Sequence, residues 1–203
     1  QRWYLRRCND NPNKAIMSAI IEAQIKMLSC FTPHICEEIW EAIGKEGFVC
    51  DAAWPEFDDS KIIEDADAKE GLIRDIISDA GKVLRIIKND SPKKITIFLA
   101  NAWKYDLYSH LKDKIKETRN PGELMKFCMG TELKKHGQEI QKLLSKIVKS
   151  GLPPHILSQE QELEAVDDAR DFLAAEFNCE IDVASADDAD HPKANNALPS
   201  KVA

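Results

Sequence analysis

A chain of 203 residues that is 43% hydrophobic and 31% charged, with 8 Gly and 9 Pro, has globular composition, which excludes disordered, collagen-like and fibrous classes. Its length allows one or two domains and a core that needs no disulfide or metal staple, and no apolar run approaches the ~18 residues of a membrane span. The formal net charge of −7 argues, taken as a whole, against a polyanionic partner.

The chain opens on Gln1-Arg2-Trp3-Tyr4-Leu5-Arg6-Arg7, without an initiator Met or an apolar signal core. This is the pattern expected of a piece of a longer polypeptide. The stretch reads as the tail of a helix on which Arg2 and Arg6 are i, i+4 neighbours. Arg2, Arg6 and Arg7 are suited either to a phosphate or to pairing with Asp10 and Glu22.

Asn9 to Asn13 forms a turn, with Asn13 as N-cap of a helix from Lys14 to Ser29. Ile16, Ile20, Ala23 and Met27 share one face of that helix. Ile21, Ile25 and Leu28 lie elsewhere on the circumference, which predicts a helix buried between neighbours in a bundle. Thr32 as N-cap and Pro33 at the first position start the next helix, and Gly44 stops it. Two antiparallel helices joined tightly at Cys30-Phe31 are expected.

An irregular acidic stretch holding Trp54-Pro55 leads to a helix over about 67–89, with Leu72, Ile76, Val83, Ile86 and Ile87 as apolar positions. Asn89-Asp90-Ser91-Pro92 is a strong break and the best domain boundary. Beyond it, Lys94 to Leu99 is a β-branched run of strand length. Helices follow over about 102–117, from Asn120-Pro121 to Met129, over about 132–149, and over about 159–175. Phe177 to Val183 alternates as a half-buried strand does, and the residues from Ala184 read as loop. The fold class is therefore mostly α with a small α/β part. Residues 1–90 form the C-terminal portion of a helical bundle, and residues 91–203 a small α/β domain.

The charge is unevenly distributed. Residues 1–81 carry 9 Lys/Arg and 16 Asp/Glu; residues 82–150 carry 16 and 7, a net +9; residues 151–203 carry 3 and 12. A basic block between acidic ones can serve a polyanion, because acidic faces beyond ~8–10 Å are screened. Within it, Lys135, Lys142, Lys146 and Lys149 fall on one stripe of the helix over about 132–149, opposite Leu133, Ile140, Leu144 and Ile147. Their mutual repulsion, a few tenths of a kcal/mol per pair, would be relieved by a phosphate backbone with release of counterions. Lys134 and Lys135 add charge at the helix start. Lys112, Lys116 and Arg119 share a face of the preceding long helix. Lys93, Lys94, Trp103 and Lys104 cluster near the first strand, with Trp103 suited to stack on an unpaired base. The competing reading is an ordinary solvated face.

Six cysteines at irregular spacings, with no CxxC pair, point to free thiols in a reducing compartment. Cys30, His34, Cys36 and Cys50 match no zinc spacing and read as packed small residues, so no metal site is expected. There is no Gly-rich phosphate loop, GxSxG or HExxH. The adjacent pairs Glu37-Glu38 and Asp58-Asp59 do not form a ready dyad, so no catalytic residue is assigned.

The segment from Met27 to Trp40, with Trp54-Pro55 after it, resembles the helix junction in the anticodon-binding bundle of class I aminoacyl-tRNA synthetases for leucine, isoleucine and valine. Cysteines stand at Cys30 and Cys36 where that family usually has Pro or Ala. Lys94–Leu99, Trp103-Lys104-Tyr105, Pro121–Met125, Lys135–Ile140, Lys193 and Ala197–Lys201 resemble the C-terminal domain of the archaeal and eukaryotic-type leucyl-tRNA synthetases. The resemblance implies a cytoplasmic parent that attaches leucine to tRNA with ATP and Mg²⁺, its catalytic and editing domains elsewhere in the polypeptide. It implies no cofactor in this chain and no DNA or membrane partner. It further implies a C-terminal domain that contacts the corner and long variable arm of tRNA(Leu), with a last peptide near or before which this chain is expected to stop. The alternatives are a protein-interaction module docking through its acidic ends, or the equivalent region of an isoleucyl- or valyl-tRNA synthetase.

Overall fold

The Asn13 side chain accepts hydrogen bonds from the amides of Ala15 and Ile16 and so starts α2, Lys14–Leu28; a short α1, Arg2–Arg7, precedes it. The computed structural model describes every residue except Asp10, Asp90, Thr131 and Asp190, and all of the remaining side chains except those of Glu132 and Ser150. The chain divides into two compact units, Gln1–Ile62 and Ile63–Ala203.

In the first unit, α2 turns at Ser29–Thr32 into α3, Pro33–Ala42. Thr32 occupies the cap position without capping: its hydroxyl bonds back to the Leu28 carbonyl at 3.4 Å. Gly44 sits just past the helix at φ +77°, a conformation that favours glycine. Glu37 closes the following loop by accepting from the Val49 amide at 2.9 and 3.1 Å. The core is small: Ile25, Cys36, Trp40 and Val49. The expected burial of α2 on all sides does not hold. Ile25 alone is buried, while Ile16, Met27 and Leu28 are 48%, 45% and 52% exposed. Within this unit α3 and the turn at Val49 pack on α2, and Gln1 reaches it by accepting from Gln24 Nε2 at 2.9 Å.

The second unit begins with α4, Glu64–Ile87, whose first turn carries Glu64, Asp65 and Asp67 at the positive end of the helix dipole. Its C-cap, Lys88, is left-handed at φ +52°, so the break at Asn89–Pro92 separates α4 from β1 inside this unit. Leu72, Ile73 and Ile76 are buried. Val83, Ile86 and Ile87 share their period but are 50–79% exposed, because the last turns have no cover. The start of α4 is tied to the segment leading into α8. Asp65 meets His155 Nε2 at 2.5 Å and accepts from Gln161 Nε2 at 2.7 Å, and Lys69 pairs with Glu164.

Strands β1, Lys94–Leu99, and β2, Glu180–Ser185, pair in parallel, Ile95 opposite Ile181 and Ile97 opposite Val183. Between them run α5, Ala102–Glu117; α6, Pro121–Met129; α7, Gly137–Ser150; α8, Gln159–Asp168; and α9, Arg170–Phe177. Ser158 and Gln161 form a reciprocal capping box at the start of α8. On the far side of β1, Phe98 and Ala203 exchange both backbone hydrogen bonds, at 2.8 and 3.1 Å.

Two predicted helices are each split. The segment over 132–149 is a 3-10 turn, Glu132–His136, followed by α7. Gly137 stands at the junction, where a Cβ would meet the Met129 methyl at 2.7 Å. The segment over 159–175 breaks at Ala169 into α8 and α9. One core of this unit is the seam of α5, α6 and α7, with Leu107, Leu111, Leu124, Ile140 and Leu144 at 0–1% exposure, and Ile73, Leu99, Val166 and Leu173 are as deeply buried elsewhere in it. Ile140→Ala removes side-chain volume from that seam and is expected to lower stability by about 2–5 kcal/mol. Ile35→Ala, at a side chain 58% exposed, should move the urea midpoint little.

Candidate nucleic-acid interface

α7 buries Ile140, Leu143, Leu144 and Ile147 against α5 and α6. At 3.6 residues per turn this turns Lys142, Lys146 and Lys149 outward, and all three are exposed. The stripe is shorter than the sequence predicts. Lys134 and Lys135 are also exposed but stand on the 3-10 turn before α7, off the helical register.

Lys149 ends this row at the mouth of a groove of about 460 Å³. Lys112 and Lys116 from α5 and Arg119 just beyond it line the same groove. Its apolar lining comes from Ile115, Ile147, Val148 and the Leu152–Pro154 segment that follows Gly151. Two groups of cations, read separately in the sequence, are thus brought together by the packing of α5 on α7. No carboxylate is among the lining residues; nearby, Lys116 pairs with Asp113 at 3.2 Å, both side chains well exposed. These cations also lie near the C-termini of α5 and α7, where the helix dipole favours positive charge. The groove floor was missed in the sequence because Gly151 and Pro153-Pro154 signal only a helix stop.

The other predicted residues lie elsewhere. Lys104 is 2% exposed, and its ammonium donates to the carbonyls of Asn195 and Ala197, both at 2.8 Å. Burial pushes its pKa down. It is a structural cation with no face turned to solvent. Trp103 is half-buried and stacks on His136, with ring centroids 4.3 Å apart and planes 4° from parallel, so one of its faces is already occupied. Lys94 pairs with Asp182 at 3.2 Å, and Lys93 is exposed. Arg2, Arg6 and Arg7 belong to the first unit. The suggested partner Asp10 lies outside the described residues, and Glu22 is engaged with Lys45 and Lys26 at 2.6 and 2.9 Å, which lowers its pKa.

A buried charged residue that the sequence reading did not single out is Glu162. It is fully buried on α8, on the face shared with Ala165, Val166 and Ala169. A carboxylate in that apolar periodicity was the available signal. It accepts from Tyr105 Oη at 2.6 Å and from the Ser200 amide at 2.6 Å. Burial raises its pKa against these two bonds, and burial beside Glu162 raises that of Tyr105 strongly. With Lys104, it fixes the segment over 194–200 to α5 and α8 at both ends. Cys36 is buried and Cys30 and Cys50 are exposed, and no group of three or more His, Cys, Asp or Glu among the described residues is placed to hold a metal ion. Among those residues, too, no helix is long and apolar enough to cross a membrane.

Residues 1–99 match the family described as the anticodon-binding domain of tRNA ligase, a span that takes in the first unit, α4 and β1. The leucine–tRNA ligase of Pyrococcus abyssi is 32% identical over 205 residues, covering all of this chain and 21% of that protein. That of Aeropyrum pernix is 32% identical over 206 residues, with the same coverage. That of Methanocaldococcus jannaschii is 33% identical over 206 residues, covering all of this chain and 20% of that protein. The chain thus spans about a fifth of the length of the curated relatives it matches.

Two variants test the structural role of these buried groups. Lys104→Met leaves two inward carbonyls without their donor and should cost on the order of 1–3 kcal/mol, read as a lower urea midpoint. Glu162→Gln keeps an acceptor but removes the charge. The folded pKa of Glu162 lies above its ordinary 4.5, so ionisation disfavours the folded state, and wild-type stability falls as pH rises from about that value through the folded pKa. The variant lacks this slope, so its stability relative to wild type should increase with pH across that window in paired denaturation curves.

Proposed function

We propose that this chain, homologous over its whole length to the anticodon-binding C-terminal region of archaeal leucine–tRNA ligases, holds tRNA(Leu) through the cationic face of its second unit. The observation that carries this reading is the convergence of Lys112, Lys116, Arg119 and Lys149 on one groove, continued along α7 by Lys146 and Lys142. Exposed amines in a row suit the sugar-phosphate backbone, and contacts of that kind position an RNA by its shape and not by its base sequence. The corner and long variable arm of the tRNA are the parts we assign to this face. Lys93, Lys94, Lys134 and Lys135 are proposed as peripheral contacts, and Arg2, Arg6 and Arg7 as contacts of the first unit. Lys104 is omitted because it is buried, and Trp103 is left with at most one open face.

About four-fifths of each relative's length has no counterpart in this sequence. The ATP and Mg²⁺ chemistry of leucine attachment, and the editing of its products, are proposed to reside there, since the described residues offer no metal-holding cluster and the sequence no phosphate loop. The exposed apolar side chains of the first unit, Phe31 at 83% and Ile35 at 58% among them, favour packing against those same-chain domains.

The test is charge reversal on α7. Lys142→Glu with Lys146→Glu should weaken binding of a tRNA(Leu) transcript and flatten the dependence of log affinity on log salt by about 0.7–0.9 for each phosphate no longer neutralised, with the far-UV spectrum unchanged. Filter binding at two salt concentrations reads both quantities, and unchanged affinity at both rejects the reading.

A further inference from the structure

The groove between the C-terminal ends of α5 and α7 differs from the rest of the cationic face. Along α7 the lysines stand on an outer surface and offer charge alone. In the groove, Lys112, Lys116, Arg119 and Lys149 line one recess together with the apolar Ile115, Val148, Leu152, Pro153 and Pro154. Its volume of about 460 Å³ lies toward the small end of the ~300–1,000 Å³ of clefts that enclose a small ligand. Cations around an apolar floor suit a ligand with a flat, weakly hydrated body and an anionic edge. A phosphate in a paired A-form helix presents no such body, because its base is stacked inside the duplex.

From this we infer that the groove is a pocket for one unstacked nucleotide of the bound RNA, its base laid on the aliphatic and prolyl floor and its flanking phosphates held by Lys112, Arg119 and Lys149. The inference rests on the tRNA reading above and deepens it: the lysine row on α7 would supply backbone affinity, and the groove would select for an unpaired position in the RNA. An acidic, partly apolar peptide has related chemistry, but two features favour the nucleotide. The rim cations continue into Lys146 and Lys142 at axial steps of ~4.5 and ~6 Å, set by the helical rise of 1.5 Å per residue, so the positive charge repeats along a line as a polynucleotide's phosphates do. The recess is also a single cleft, whereas a partner helix would need a trough long enough for anchors at i, i+4 and i+7.

The experiment uses the full chain and a tRNA(Leu) transcript carrying 4-thiouridine, irradiated and digested, with cross-linked peptides identified by mass spectrometry. The expected result is cross-linking from unpaired positions to the peptides spanning 112–119 and 147–154, absent with a fully paired hairpin of equal length. As an independent reading, Leu152→Ser should lower affinity for the transcript about tenfold while leaving the salt slope unchanged, since no cation is removed. Cross-links confined to residues 134–146, with Leu152→Ser binding as wild type does, would overturn the pocket while leaving the backbone reading intact. Equal cross-linking by the paired hairpin would likewise overturn it. Protection of the groove peptides by polyglutamate but not by the transcript would assign the groove to an acidic protein segment instead. No binding of the transcript at low salt would reject the pocket and the tRNA reading together.

Discussion

Four aliphatic side chains on α7 decide where the cations of the second unit go. Ile140, Leu143, Leu144 and Ile147 close against α5 and α6, and each fully buried side chain of this kind contributes ~1.5–3 kcal/mol relative to exposure. That is well above the few tenths of a kcal/mol by which neighbouring like charges on a helix repel. Hydrophobic burial therefore wins, and the lysines between those positions are held side by side in solvent although they disfavour one another. The same seam brings the end of α5 beside the end of α7. The groove with Lys112, Arg119 and Lys149 at its rim is thus a consequence of core packing, and no specific contact between the cations is needed to build it.

The chain handles its charged groups in two different ways. Lys104 and Glu162 are both buried, at 2% and 0% exposure; Lys104 donates to two backbone carbonyls of the segment over 194–200, and Glu162 accepts from the Ser200 amide of that segment and from Tyr105 Oη. A buried ion costs several kcal/mol unless hydrogen bonds replace its water, and here the replacement fixes the segment's path. Charge on α7 and at the groove sits instead on exposed side chains. Lys104 and Lys149 are the same residue type within one basic block, yet one is a bolt inside the fold and the other an exposed side chain.

Periodicity made the elements of the second unit legible. α5 occupies the expected residues 102–117, Asn120-Pro121 starts α6, and β1 and β2 were both read as strands. The misreadings share a physical origin: a pattern in one segment reports its own amphipathicity and not what lies opposite. α2 and the end of α4 have core-like apolar spacing, yet several of those side chains are exposed in this chain. Lys104 looked like its basic neighbours because nothing local reveals carbonyls 91 and 93 residues away. The groove floor was hidden for the same reason. Pro153 and Pro154 end a helix in any context, and only the three-dimensional arrangement sets them beside Ile115.

The overall charge of −7 would on its own place this chain among proteins that avoid nucleic acid, yet net charge is a poor coordinate for a surface that acts at short range. At 0.15 M ionic strength the potential of an exposed charge decays over ~8 Å, less than the axial length of α7, which is ~21 Å for its 14 residues. A phosphate at the groove would therefore sense chiefly the charges lining it and their immediate neighbours, Asp113 beside Lys116 included. On the proposed reading, a local cationic face of this kind favours an RNA that fits it over one that merely carries charge, and selectivity rests on shape and on an accessible unpaired position rather than on the total charge of either partner.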